Sequence, residues 1–433
     1  MLKNLLIIYP HWHPANLAGV QRPRLIGNFL KEYGWNPRVL TVDSSYFEEE
    51  PDNDFRKTFS KDFQVTRVKA LPIFRPRLIG DVGIRAFYSL YNKAISIIQN
   101  ESIDFIWLPI PSFYNALLGR LLFDKTGVQY GVDYIDPWVR DITNQNNFRA
   151  KLSQLVARRL EPIAIKKASL ISGVSTAYYQ SVLKRNFPNL FNTEGYLEDK
   201  GMNPHTNSKL VHVGMPYGFD PNDHKVKLPN LQTPWDKSKK EKIWLYAGAF
   251  LPNSHYFLEL MFSAISRLRS EGNWDESIRL YFIGTGSYPA KRITSYAQDF
   301  GLSDIVIEYR QRFPFLHILN FLNQADRVLV IGSTEKHYTA SKTYQVILSE
   351  KPVFAIFHEE SSAVTVLEEC ESEQYLVKWQ EDLSDEKFGK LLTQTLKNLQ
   401  IESVEWNPNY KVLEKYSAKA SAGKLVEAIE SCL

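Results

Sequence analysis

The chain is 433 residues long, 44% hydrophobic and 23% charged, which is too much for one ordinary core and implies two globular domains. Its apolar runs all fall short of the about 20 residues that a membrane-spanning helix needs, and two cysteines, Cys370 and Cys432, exclude a disulfide-built scaffold and suit a reducing, cytoplasmic setting. The net charge of +4 conceals an asymmetry: residues 1–215 hold 27 Lys and Arg against 19 Asp and Glu, leaving +8, whereas the remainder is −4, so the first half either meets something anionic or has a solvated basic surface.

Residues 5–9 read as a short buried strand, and Pro10 breaks the apolar run before a signal-peptide core forms. The loop 10–24 carries His11, His13 and Gly19. Leu25, Ile26, Phe29, Leu30 and Tyr33 then recur at helical spacing up to Gly34, a good residue to end a helix. Strand, glycine-bearing loop and helix is how a Rossmann-like unit begins. The two histidines lack a nearby third ligand, so no metal site is expected there. Strands over 38–42, 64–68, 105–110 and 129–135 alternate with helices over 82–98 and 114–125, the rhythm of a doubly wound parallel sheet. Residues 44–62 are acidic and polar and read as a surface loop. Between Arg75 and Lys93, basic residues mix with Ile79, Phe87, Tyr88 and Tyr91; the mixture suits either contact with an anionic membrane or a helix packing one face on the sheet.

The strand at 129–135 runs into Asp133-Tyr-Ile-Asp-Pro-Trp-Val-Arg140. Asp136 precedes a proline, so the strand stops and its carboxylate stays at the sheet edge, where it meets a ligand or caps the turn. A strongly basic helix follows over 147–168, then a strand-to-helix step at 168–176, a last strand at 209–214 and a linker rich in Pro, Asn and Lys at 221–241.

The second half restarts the rhythm, with strands over 243–247, 278–283, 305–309, 327–331 and 353–357 and helices over 341–349, 384–399 and 416–433. Gly284-Thr-Gly286 ends the second of these strands, but Pro289 takes the place of the third glycine of a dinucleotide fingerprint, so NAD is not expected. The loop 332–340 opens at the carboxyl end of a parallel strand. The helix after it begins with Ser341, an N-cap type, and Lys342, so unpaired N–H groups, the helix dipole and a full positive charge converge where an anion would sit. No Ser-His-Asp or paired-carboxylate constellation is visible, and no nucleic-acid motif.

The segment 332–357 resembles the donor site of the GT-B-fold glycosyltransferases, in particular the large retaining family 4, through Ser341, Lys342, Tyr344, Leu348, Lys351, Pro352 and Val353. Residues 133–140 resemble that family's Asp-x-Arg-Asp-Pro-Trp segment, and residues 10–24 its opening loop. The resemblance implies an α/β GT-B fold: two Rossmann-like doubly wound parallel-sheet domains facing a central cleft. Residues 1–215 would bind the acceptor and 216–409 the nucleotide sugar, with 410–433 packing back on the first domain. The implied activity is that of a hexosyltransferase-type enzyme, moving a sugar from a nucleotide diphosphate sugar to a glycan, lipid-linked or small-molecule acceptor with retention, in surface polysaccharide or glycoconjugate biosynthesis. A donor phosphate oxygen would take the acceptor proton. Neither metal nor cofactor is expected, nor nucleic acid; the place is the cytoplasm or the inner face of an anionic membrane. The alternative is a degenerate, non-catalytic GT-B protein that binds a sugar nucleotide or an anionic membrane surface.

Residue by residue, the resemblance assigns Asp136, Lys342 and His337 to catalytic positions. It assigns Gly19, Gly248, Thr285, Arg310, Thr339, Ala340, Ser341 and Gln345 to the donor, with Gly19 letting backbone approach the diphosphate. His11, His13, Trp138 and Arg140 fall to the acceptor, Trp138 as a stacking wall and Arg140 as an anion contact. This chain departs from the pattern where the family has two glutamates, which here are His337 and Gln345. Gln345 keeps a carbonyl oxygen for a ribose hydroxyl but not the charge that strengthens such a bond. The family's Arg and Lys after the first strand of the second domain are also missing from 249–255, which leaves Lys342, or Arg310 and Arg312, to neutralise the phosphates.

Overall fold

The computed structural model describes residues 2–73, 80–140, 148–192, 194–287, 291–336, 342–401 and 406–433, apart from the side chains of Arg149 and Pro252. The chain divides into two compact units, residues 1–220 with 416–433, and residues 221–415.

The first unit is built on eight strands: β1 (Lys3–Ile8), β2 (Trp35–Val42), β3 (Gln64–Val68), β4 (Phe105–Ile110), β5 (Tyr130–Tyr134), β6 (Leu170–Gly173), β7 (Lys200–Met202) and β8 (Lys209–Gly214). They lie in the order β3-β2-β1-β4-β5-β6-β8-β7, and every pairing is parallel except β7 with β8. β1 pairs with β2 on one side and, after a return across the sheet, with β4 on the other; Leu5 faces Pro37 and Phe105. Helices cover both faces of such a sheet, so its middle strands are buried throughout. β4, Phe-Ile-Trp-Leu-Pro-Ile, has no exposed position.

Two local expectations are corrected. The first helix is Ala18–Gly27, beginning where a loop was expected, and the spacing from Leu25 to Tyr33 straddles its last turn and a 3-10 turn at Leu30–Tyr33 that Gly34 closes at φ +83°. The helix buries Gln21, Arg22 and Arg24 along with Val20 and Leu25, so its polar residues point inward and hydrophobic periodicity does not reveal it. The stretch 221–241 is not a free linker but part of the second unit. It opens with the helix Pro221–Lys225; Asn320 Nδ2 donates to Val226 O (2.9 Å), its Oδ1 accepts from Leu228 N (3.2 Å), and Trp235 is buried edge-on against Tyr281 and Phe321.

The helix Val82–Asn100, capped by Asp81 Oδ1 on Ile84 N (2.9 Å), buries Val82, Ala86, Leu90, Ala94 and Ile97 at helical spacing. It is therefore an ordinary sheet-packing helix, while residues 74–79 before it lie outside the described residues. The last helix, Ala418–Cys432, is capped by Ser417 and packs on β6, β8 and the first helix. No helix of the described residues is long and apolar enough to cross a membrane.

The second unit holds six strands, β9 (Lys242–Ala247), β10 (Ile278–Ile283), β11 (Val306–Tyr309), β12 (Arg327–Ile331), β13 (Val353–His358) and β14 (Leu376–Trp379), all parallel, in the order β11-β10-β9-β12-β13-β14. Both sheets thus share the core order 3-2-1-4-5-6, which places the change of winding direction between the first and fourth strands.

Candidate active site

In the second unit the winding changes between β9 and β12, and the residues at their carboxyl ends define the site. Gly248 (φ +125°) and Gly284 (φ +72°) follow β9 and β10 in backbone conformations that side chains strain, and Gly248 N donates to Ile283 O (2.9 Å). A Cβ on Gly248 would stand 3.8 Å from the ammonium of Lys342, filling the space before it.

Lys342 begins the helix Lys342–Ile347 beside β12, and its Nζ donates to Tyr246 Oη (2.5 Å) and Ala249 O (3.4 Å). The ammonium also lies 4.1 Å from the centre of the Tyr246 ring. Its partners are dipoles and a ring face rather than a carboxylate, and burial pushes its pKa down to about 7. Tyr246 is held by its own bond to Ala249 O (2.9 Å) and by Phe250 and Phe282 around its ring. A cation set beside glycine backbone and stabilised by dipoles alone is suited to an anionic ligand.

The other residues expected at the donor separate into three groups. Gln345 lies three residues after Lys342, on the same side of the helix, and meets the ring of His224 at 2.8 Å. The opposite ring nitrogen of His224 faces Asn323 Oδ1 (3.2 Å), and Asn323 Nδ2 donates to His224 O (3.2 Å). Burial lowers the His224 pKa, with these two amides opposing the shift. Thr285 and Arg310 both make hydrogen bonds within the turns after β10 and β11. The buried Thr285 hydroxyl donates to Glu308 Oε1 (2.8 Å), whose second oxygen accepts from Ile293 N (3.0 Å), while Arg310 Nε donates to Gly286 O (2.5 Å). His337, Thr339, Ala340 and Ser341 lie outside the described residues.

In the first unit the equivalent edge lies past β1 and β4. Gly19 is corrected from a loop residue to one in the first turn of the helix Ala18–Gly27, and what it lets approach is Tyr9 rather than open space. A Cβ there would fall 1.9 Å from Tyr9 Oη. Burial, followed by Tyr217 and the carboxylates of Asp81, Asp136 and Glu49, holds the Tyr9 hydroxyl protonated far above the usual phenol range. Gly19→Ala is expected to cost about 1–3 kcal/mol through overpacking, and the added change Tyr9→Phe to recover part of it. Equal melting temperatures for Gly19→Ala and wild type would disprove the clash.

Asp136 stands half-buried just past β5 and makes no hydrogen bond or ion pair among the described residues. His11 lies between Tyr9 and Phe47 (ring centres 6.5 and 5.1 Å), with Nε2 3.8 Å from Glu49 Oε1, and burial lowers its pKa. The His13 ring is edge-on to Phe59 at 5.8 Å, with its pKa also lowered by burial. Trp138 does not form an open wall: only 4% exposed, it stacks on Phe113 (5.9 Å, 9°) and meets Tyr114 edge-on, so it belongs to the core. Arg140 is exposed, its guanidinium 5.9 Å from the Phe113 ring and its Nε donating to Pro137 O (3.1 Å).

No protein-family model matches the chain, and no curated protein matches it significantly. The likeness is in the backbone. HepE from Anabaena, solved in complex with UDP and glucose, superposes with a TM-score of 0.58 at 14% identity over 99% of this chain and 100% of that one. The chain has the GT-B fold. A glycosyltransferase from Rickettsia africae (TM-score 0.57, 13% identity, 100% and 98% covered) and sucrose-phosphate synthase from Thermosynechococcus elongatus (0.57, 15%, 99% and 98%) are similar to it over the same extent.

On this GT-B chain, sequence reading missed Tyr246, His224, Asn323, Tyr9 and the pair Arg22–Asp133. Tyr246 sits in an apolar strand and reads as core. His224 and Asn323 lie far from Gln345 in the chain, so no spacing rule joins them. Arg22-Pro-Arg24, two cations running straight into the apolar pair Leu25-Ile26, was the one visible signal that charges would have to be buried and paired.

Proposed function

We propose that this chain is a glycosyltransferase that takes a sugar from a nucleotide diphosphate sugar bound by the second unit and passes it to a hydroxyl of an acceptor bound by the first. The observation that carries the reading is the Lys342 ammonium, held by Tyr246 and Ala249 beside Gly248 at the point where a Rossmann-ordered sheet reverses its winding. The UDP and glucose found with HepE support this choice of donor class.

In the reaction the bond between the anomeric carbon and the phosphate oxygen breaks and one to the acceptor oxygen forms. The acceptor proton passes to the departing phosphate oxygen, giving a nucleoside diphosphate and a glycoside with retained configuration. Lys342 balances charge growing on that phosphate, and Gln345, steadied by His224, accepts from a ribose hydroxyl. Asp136 accepts from an acceptor hydroxyl and orients it, with His11 and Arg140 alongside.

The test is to incubate the protein with UDP-, GDP-, ADP- and CMP-linked sugars, with and without glycan or lipid-linked acceptors, and to follow nucleotide release. Acceptor-dependent release from one donor is expected. Nucleotide binding without release would establish a non-catalytic relative instead, and neither binding nor release would end the reading.

A further inference from the structure

The helix Phe148–Ile165 has its apolar residues on the wrong side for a core-packing helix. At about 100° per residue, buried Ala157, Glu161 and Ala164 share its inner side, while Phe148, Leu152, Leu155 and Ile163 share the opposite side and are 76%, 49%, 50% and 49% exposed. The small inward residues let the helix lie close to its neighbour Ala116–Thr126, so the arrangement is a packed one with the large side chains left outside. Four large apolar side chains in solvent on one short helix are costly unless something covers them.

The charges indicate what does. Lys151, Arg158, Arg159 and Lys166 are exposed along and beside this stripe and make no ion pair among the described residues. The only acid of the helix, Glu161, is buried and accepts from Arg185 Nη2 (2.6 Å), so the outward face is apolar and cationic without an anion. A second copy of the same face would set these cations against one another, and a nucleic acid would leave the apolar stripe without a role. An anionic bilayer matches both parts: the apolar side chains enter the acyl boundary while the long basic side chains reach lipid phosphates.

We infer that the face of Phe148–Ile165 bearing Phe148, Leu152, Leu155 and Ile163 is a membrane-docking surface for anionic lipid, lying in the plane of the interface without crossing it. It stands independently of the donor site, since its residues are not those that hold Lys342 or Gln345.

The experiment is flotation of the full chain with vesicles of phosphatidylcholine alone or with about 30% phosphatidylglycerol, from about 0.05 to 0.5 M salt. Four basic residues at the surface predict a preference for the anionic vesicles of about a hundredfold or more, falling with salt. Leu152→Glu with Leu155→Glu should lower vesicle binding at least about tenfold, and Arg158→Glu with Arg159→Glu should abolish the anionic preference, both with melting temperature and UDP-induced thermal shift unchanged. Failure of the wild type to float with anionic vesicles would overturn the inference. So would wild-type self-association, or capture of a protein partner, that the leucine variant abolishes while vesicle binding persists. Loss of the UDP response with vesicle binding intact would count against the donor reading alone.

Discussion

Replacing Lys342 by methionine is expected to lower kcat/KM for the donor by about 10²–10³-fold, the effect of removing a preorganised charge that acts on developing anionic charge. The fold should remain intact, because the ammonium is held by a hydroxyl and a carbonyl and methionine keeps the apolar stem of the side chain. The lowered pKa, about 7, adds a second readout. In the free protein the amine is largely neutral above pH 7, and a bound diphosphate raises its pKa again, so binding near pH 8 takes up a proton from solution. Calorimetry in buffers of different ionisation enthalpy measures that uptake, which Lys342→Met should abolish. The sign for stability follows from the same shift. Between pH 7 and about 10 the unfolded chain still holds a proton that the folded, unliganded protein has lost, so wild type gains stability relative to Lys342→Met as pH rises through that window. Full activity in the methionine variant would exclude Lys342 as a phosphate contact.

The largest loss of stability is expected from Asp133→Ala. Asp133 and Arg22 are both fully buried and joined by two parallel bonds, Nε to Oδ2 (2.5 Å) and Nη2 to Oδ1 (2.9 Å). Ser172 Oγ donates to the same carboxylate (2.7 Å), and Arg22 Nη1 donates to Pro216 O (3.0 Å). Removing the carboxylate strands a guanidinium in the core of the first unit, at a cost of about 3–5 kcal/mol. For a unit of this size that lowers the melting temperature by about 10 °C. Arg22→Met with Asp133→Leu removes both charges and should cost far less, because attraction across such a pair only roughly offsets the desolvation of its members. Comparable losses in the single and double variants would show that shape, rather than an unpaired charge, sets the penalty.

Those two residues also mark how far the sequence could be read. Asp133 and Asp136 lie in one motif, and spacing alone favours the second because a proline follows it. The fold divides their labour. Asp133 is the last residue but one of the fully buried strand β5 and must be paired, whereas Asp136, past the end of the strand, has no partner among the described residues. Trp138 shows the converse error. A tryptophan beside a candidate carboxylate reads as a wall for a ligand, but Phe113, brought over from beyond β4, covers its face. Lys342 was legible because three local signals coincided: a strand end, a polar loop and a helix start. Its pairing with Tyr246 was not, since 96 residues separate them and alternation marks Tyr246 only as buried.

The sequence by itself determined the alternation of most strands with helices, the parallel character of the two sheets and the placing of polar loops at strand ends, because apolar runs, glycines and prolines act over a few neighbouring residues. Tertiary structure alone decided which charges are spent on the fold and which remain for a ligand. Burial and pairing depend on strands and helices that meet across a sheet after long excursions of the chain, and no local pattern encodes what stands on the other side.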